Sequence, residues 1–436
     1  MILSKHFSLS RSLLLAAGVC APAALAAQAA PGDDGPYLIK GGTIVNADQR
    51  MANTDILVRA GRITQIGPNL PATGAKVVDA TGKFVYPGMI DANTGIGLQE
   101  IGGVQTMTMR SELGQFNPHI RAVVALNVES EILGVTRMNG VTSVITTPTG
   151  GIISGQAALI NTAGWTWEDL AISKNAGIVI NLPGSGGGRG RGGGGGRGRG
   201  GDTGGDATQQ AAELEQFMRT SKDYDSTRTA GAAKKDLIYE AMRPLFKKEI
   251  PAIIPANTEA QIRQAIAFGE KWGIRVVLQG GSQAWKVRQL LAEKKVPVVL
   301  GSIEAAPGDA EPYDEVYAQP GLLYEAGVKF AFSTGNGSNA RHVPLHAQLA
   351  VAYGLPEEGA MKALTIWPAE IFGADKQIGS IAQGKLANFY ITNGDPLDLR
   401  TQVSLVFIKG RQVPDDDRHH RLYLKYKARP VTKITP

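Results

Sequence analysis

Tyr86-Pro87-Gly88-Met89-Ile90-Asp91-Ala92-Asn93-Thr94-Gly95 divides the chain into two textures. Before it, residues 37–86 alternate short apolar runs such as Thr43-Ile44-Val45 and Asp55-Ile56-Leu57-Val58 with turn signals such as Gly41-Gly42 and Ala60-Gly61. Short strands at such close spacing predict a small β-sheet. After it, from Pro87 to about Gly373, compact apolar segments alternate with helical patterns at 260–272 and 283–294. The strand candidates are 89–91, 141–147, 157–160, 178–182, 252–254, 275–279, 296–300 and 328–333. This alternation predicts parallel α/β structure, over a length close to the ~250 residues typical of a (β/α)8 barrel. Taken alone, the pattern also permits a doubly wound open sheet. Beyond the barrel, Asn388-Phe389-Tyr390-Ile391 and Val403-Ser404-Leu405-Val406-Phe407-Ile408 return to strand texture. Both ends of the mature chain are therefore expected to build one small β-sandwich, from residues 27–86 and 374–436, around a barrel at 87–373.

Composition narrows the classes. Of 436 residues, 43% are apolar and 19% charged, ordinary for a globular protein with a large core, which excludes a wholly disordered chain. The net charge of +6 is spread thinly and predicts no concentrated basic face. Residues 1–26 read as a secretory signal peptide: Lys5 and Arg11 precede a short apolar run that ends in Ala24-Leu25-Ala26. The run is shorter than the ~20 residues a bilayer span needs. Cleavage would remove Cys20, the single cysteine, so the mature chain would be free of disulfides. The expected location is periplasmic or secreted, with no membrane span. Residues 184–206 form a Gly/Arg-rich insert with no apolar side chain before Ala207, and should be a flexible loop at the barrel rim. Its Arg189, Arg191, Arg197 and Arg199 lack aromatic stacking partners, so specific nucleic-acid binding is not expected.

The Pro87–Gly95 stretch resembles the opening barrel motif of the amidohydrolase superfamily, particularly its exported imidazolonepropionase-like branch. Further similarities lie in Gly150–Gln156, Gly281-Ser282-Gln283-Ala284-Trp285, Asn339-Ala340-Arg341-His342, Val351–Pro356, Ala363–Ile371, Gly379–Lys385 and Gly394-Asp395-Pro396. The resemblance implies a TIM-like barrel with a β-sandwich, and hydrolysis of non-peptide C–N bonds by a metal-activated water. Zinc or another divalent metal would be the family's cofactor. In the family's pattern two histidines share one face of the first strand; here those positions hold Asn93 and Gly95. Further histidine positions hold Pro255 and Ser282, and the aspartate position holds Gly335 or Asn336. The expectation is that no metal cofactor is bound and no residue is catalytic.

Other chemistries are weakly signalled. His342 and His346 have helical i, i+4 spacing, but Pro344 lies between them and no third ligand is evident, so a surface or helix-start role is expected. Glu100, Glu259 and Glu304 are candidate acid/base carboxylates that nothing in the sequence brings together. Ser154 lacks the G-x-S-x-G context of a nucleophile elbow. Asp91 is expected to anchor the first strand to the sandwich. The polar lining of a binding pocket is expected from Asn93, Thr94, Glu100, Asn257, Gln279, Ser282, Thr334 and Asn336. They suit a small amide or peptide ligand. The function expected is that of a non-catalytic binding or partner subunit, in a homo-oligomer or beside a related amidohydrolase. The alternative is a hydrolase that acts on C–N bonds through an altered or metal-independent site.

Overall fold

The computed structural model describes residues 35–100, 104, 108–184, 207–304 and 311–430. The signal-peptide reading, and the Gly/Arg-rich insert beyond Gly184, lie outside the described residues.

Sixteen strands form two sheets among the described residues. The first part of the chain supplies β1 (Tyr37–Val45), β2 (Arg50–Arg59), β3 (Arg62–Gly67), β4 (Lys76–Asp79) and β5 (Phe84–Pro87). The barrel strands are β6 (Met89–Thr94), β7 (Val141–Thr146), β8 (Ile153–Asn161), β9 (Ala171–Ile180), β10 (Ala252–Ala256), β11 (Val276–Gly280), β12 (Val298–Leu300) and β13 (Phe330–Ala331). The chain ends with β14 (Phe389–Thr392), β15 (Val403–Ile408) and β16 (Arg411–Gln412).

The two ends share one sheet of order β16-β15-β14-β5-β1-β2-β3, with β4 also on β1. Antiparallel pairing of β14 with β5 joins the late segment to the early one. Aromatic packing holds the same join: the buried Phe407 ring stacks on Phe389 at 4.8 Å and meets Tyr37 edge-on at 5.1 Å. The tail forms the helix Arg418–Lys427, capped by Asp417 and without a buried residue.

The second sheet runs β6 to β13 in chain order and is nearly closed. Every strand candidate from the sequence is present, but the sheet is not wholly parallel. β8 pairs antiparallel with both β7 and β9, whereas the remaining pairs are parallel. The cause is connection length: a parallel crossover needs a dozen or more residues, and the segments flanking β8 hold only a turn and the short helix Trp167–Leu170. Elsewhere helices cover the barrel. Glu259–Trp272, for example, starts with a Thr258/Gln261 capping box and stops at Gly273 in the left-handed region. Alternate strand residues, including Ile90, Ala92, Ile145, Leu159, Val179, Ile253, Val277 and Val299, pack together with Ile371 and Phe372.

Gly88 joins the two sheets, because a Cβ there would lie 1.9 Å from Thr142 Oγ1 on β7. Its amide donates to Asn388 O at 3.0 Å, and Asn388 Nδ2 donates to Asn161 Oδ1 at 2.7 Å. Among the described residues no helix is long and apolar enough to cross a membrane.

Phe407→Ala should destabilise the protein by about 3–5 kcal/mol, the usual cost of removing a buried ring. Chemical unfolding followed by tryptophan fluorescence would measure this, and an unchanged midpoint would show that Phe407 does not hold the two ends together.

Candidate functional site at the barrel mouth

Side chains alternate along β6, so Asp91 and Asn93 share a face and Gly95 follows in step. Asp91 is completely enclosed. Its Oδ2 accepts from Thr334 Oγ1 at 2.5 Å, and its Oδ1 accepts from the Thr334 and Asn93 amides, each at 3.2 Å. With Ala92 N to Phe332 O at 3.1 Å and Gly335 N to Asn93 O at 3.0 Å, these bonds join the first barrel strand to the segment after the last. Asp91 is therefore the anchor of the barrel seam, where the sequence suggested an anchor to the β-sandwich. Burial pushes its pKa up to about 7, against the hydrogen bonds from Thr334 and Asn93 that pull it down.

Asn93 is buried, and its Oδ1 accepts from Thr147 Oγ1 at 2.7 Å. Gly95 has a more informative neighbour. A Cβ built there would lie 2.9 Å from Cδ, Cζ and Nε of Arg110, so the guanidinium occupies the space into which a side chain at 95 would project. Arg110 Nε donates to Thr147 O at 3.4 Å. Burial lowers the Arg110 pKa, without making neutral arginine accessible near pH 7.

A second polar group lies at the ends of β10 and β11. Ser282 Oγ donates to Asn257 Oδ1 at 3.1 Å, and both residues are exposed. Beside them Gln283 accepts from the Glu259 amide at 3.0 Å and donates to Glu311 Oε1 at 2.6 Å. Lys286 Nζ pairs with the same Glu311 oxygen at 2.8 Å, and the Trp285 indole donates to Glu315. The contact with Glu315 lowers the Glu311 pKa, helped by Lys286 and Gln283. Glu315 moves the other way, to about 7, through burial and the neighbouring Glu311. Sequence reasoning missed this carboxyl pair. Its one signal was the four-residue spacing, and Glu311 precedes the helix Glu315–Glu325 that would have made such spacing informative.

The eight expected lining residues thus separate. Asn93, Thr334 and Asn336 gather where β6 meets the segment after β13, whereas Asn257, Ser282 and Gln279 lie along β10 and β11. Thr94 does not line a pocket: it is fully buried, with Oγ1 donating to Ile145 O at 3.3 Å. Glu100 is engaged by Asn127 and Ser130 at 3.2 and 3.0 Å. Asn336 caps the turn Gly337–His342 by accepting from Ser338 N at 2.9 Å. Of the three carboxylates singled out, Glu259 pairs with Arg263, and Glu304 lies 3.0 Å from His342 Nδ1 and 3.7 Å from His346 Nε2. His346 is not a surface residue. It is fully enclosed, and burial drives its pKa down to about 4. A cavity of about 770 Å³ opens at the opposite face, lined by Arg275, Val296, Gly327, Lys329 and Glu370. It lies at the strand starts, the face of such barrels associated with stability, and contains none of the expected residues.

The positions that the resemblance gives to metal ligands do not fit a divalent ion. The Asn93 oxygen is engaged, a guanidinium fills the place beside Gly95, Pro255 carries no donor atom, and Ser282 is bonded to Asn257. Among the described residues no group of three His, Cys, Asp or Glu side chains is arranged to hold a metal ion.

Comparison with known proteins places these observations. Residues 312–413 match the Amidohydrolase family. The chain is similar to amidohydrolase tasK of Hapsidospora irregularis, 23% identical over 83% of this chain and 40% of that protein. It therefore spans less than half the length of that relative. An amidohydrolase structure from Thermotoga maritima MSB8 superposes with a TM-score of 0.76, at 26% identity, over 87% of this chain and 99% of the other. The sequence expectation of no cofactor is corrected by the match of residues 312–413 to the Amidohydrolase family, the family whose resemblance implies a divalent metal.

The Asp91 pKa yields a signed prediction. Its folded value lies above the ~3.9 of an unfolded aspartate, so its contribution to folding is fully present below about pH 4 and lost as pH rises through about 7. Relative to Asp91→Asn, the native protein should lose on the order of a few kcal/mol across that window. Unfolding midpoints of both proteins against pH measure it, and two parallel curves would contradict the raised value.

Proposed function

We propose that this chain, which belongs to the amidohydrolase superfamily, binds a small amide or peptide ligand at its barrel mouth without hydrolysing it. The observation that carries the proposal is the Arg110 guanidinium in the space beside Gly95. Bonded to the Thr147 carbonyl, it places a hydrogen-bond donor beside Gly95, a group that can hold a ligand but cannot take a proton from water. The remaining polar groups are carboxamides and hydroxyls, which recognise an amide by hydrogen bonding but do not activate water. As a binding protein the chain would act as a partner subunit, either with its own copies or beside a related amidohydrolase, and the reading of residues 1–26 would place it in the periplasm or outside the cell.

A panel of dipeptides and N-acyl amides, assayed for amine release with added zinc, manganese or cobalt, tests this. Saturable binding by calorimetry without turnover is the expected result, and turnover that follows the added metal would overturn it.

The Glu311/Glu315 pair favours a second reading, a hydrolase whose site lies on the other polar group. Two carboxyls whose pKa values are pushed apart form the usual arrangement for acid and base roles. Under that reading turnover survives chelator and falls by about 100-fold or more in Glu311→Gln. Equal rates in both proteins would exclude it.

A further inference from the structure

We propose that Arg110 is the anchor for a carboxylate on the ligand of the barrel mouth, an assignment that rests on the binding reading above. The guanidinium is held on a rigid support. Arg110 O accepts from Thr149 N at 2.7 Å, Met109 N donates to Leu98 O at 2.6 Å, and Ser111 bridges to Thr149. The backbone at Arg110 is thus fixed between the exits of β6 and β7, and the partly buried side chain starts from a held position. Glycine at 95 leaves this place to the guanidinium, since a Cβ there would lie 2.9 Å from its stem and the arginine would have to shift.

What the support leaves open is the double-donor end. Among the described residues Arg110 makes one hydrogen bond, the long one from Nε to Thr147 O, and no ion pair. Nη1 and Nη2 donate to no described group. A partly buried cation without a counter-charge is an unfavourable arrangement, and a carboxylate presented edge-on would satisfy both nitrogens at once. A second donor lies beside it. Thr147 Oγ1 donates to Asn93 Oδ1, which fixes that oxygen as an acceptor and leaves Asn93 Nδ2 without a described partner. Thr147 touches both residues, through its carbonyl and through its hydroxyl, so the Arg110 guanidinium and the Asn93 carboxamide are held on one residue. Three donors on two neighbouring side chains suit a planar monoanion with three or more acceptor lone pairs. The amide of such a ligand would then face the hydroxyl and carboxamide groups of the same mouth.

Titration calorimetry of the full chain with N-acetylglycine and with N-acetylglycinamide isolates the charge, since the two probes differ only in the carboxylate. The acid should bind roughly 10- to 100-fold more tightly, the range given by charge-assisted hydrogen bonds. Arg110→Met should reduce that ratio to about one, and Arg110→Lys, which keeps charge but loses the fork, should leave an intermediate ratio. Gly95→Ala supplies an independent variant that displaces the guanidinium without removing it, and should also shrink the ratio. Equal affinity for the two probes overturns the carboxylate anchor while leaving the binding reading intact. Preferential binding of the acid followed by its hydrolysis keeps the anchor and overturns the non-hydrolytic reading. Binding of neither probe overturns the anchor.

Discussion

A single enclosed carboxyl, Asp91, holds the first barrel strand against the segment that follows the last. A sheet of eight strands becomes a barrel only where its ends meet, and here no regular ladder runs between β6 and β13. Two backbone bonds and the Asp91 contacts with Thr334 span that gap. A buried carboxylate is tolerated only when its oxygens are satisfied, and the residue following Ser333 supplies a hydroxyl and an amide together. Because Asn93 lies two residues beyond Asp91, and Asn336 two beyond Thr334, the positions of both depend on this seam.

The mouth built on the seam is a set of donors and acceptors in unequal states. Most hydrogen bonds there are internal: Thr147 to Asn93, Thr334 to Asp91, Ser282 to Asn257, Ser338 to Asn336. Satisfied groups of this kind hold shape and contribute little further recognition. Arg110 differs, since its position is fixed by backbone bonds while its fork is left without a described partner. The Glu311/Glu315 pair differs in another way, with two acids in contact and one of them forced toward the neutral form. The chain therefore concentrates its electrostatic tension at two places on one rim, one cationic and one acidic.

The similarity to amidohydrolases and the donor set of this mouth rest on different parts of the chain. Family resemblance is carried by the scaffold: the Pro-Gly entry, the seam aspartate, the Gly281–Trp285 turn and the β segments that close the chain. Those parts solve packing problems, as Gly88 does against Thr142. Ligand identity is a separate matter, set by a few side chains at strand ends that the fold does not itself require.

Much of this was legible in the sequence, and for identifiable reasons. Strand positions followed from apolar runs bounded by turn residues, and the pairing of the two chain ends followed from their shared texture. The identity of Asn93, Gly95, Pro255 and Ser282 at strand ends needed only a motif and a count of residues. Three other facts were decided by tertiary structure alone. The direction of β8 depends on how its short connections must run, which an apolar strand pattern does not record. The role of Asp91 depends on Thr334, far away in the chain and adjacent only once the barrel closes. Arg110 could not be recognised beforehand at all, because nothing in its local sequence points to Gly95. Local propensity and motif spacing act over a few residues, whereas a buried charge takes its meaning from whatever the closed barrel brings within a few ångströms of it.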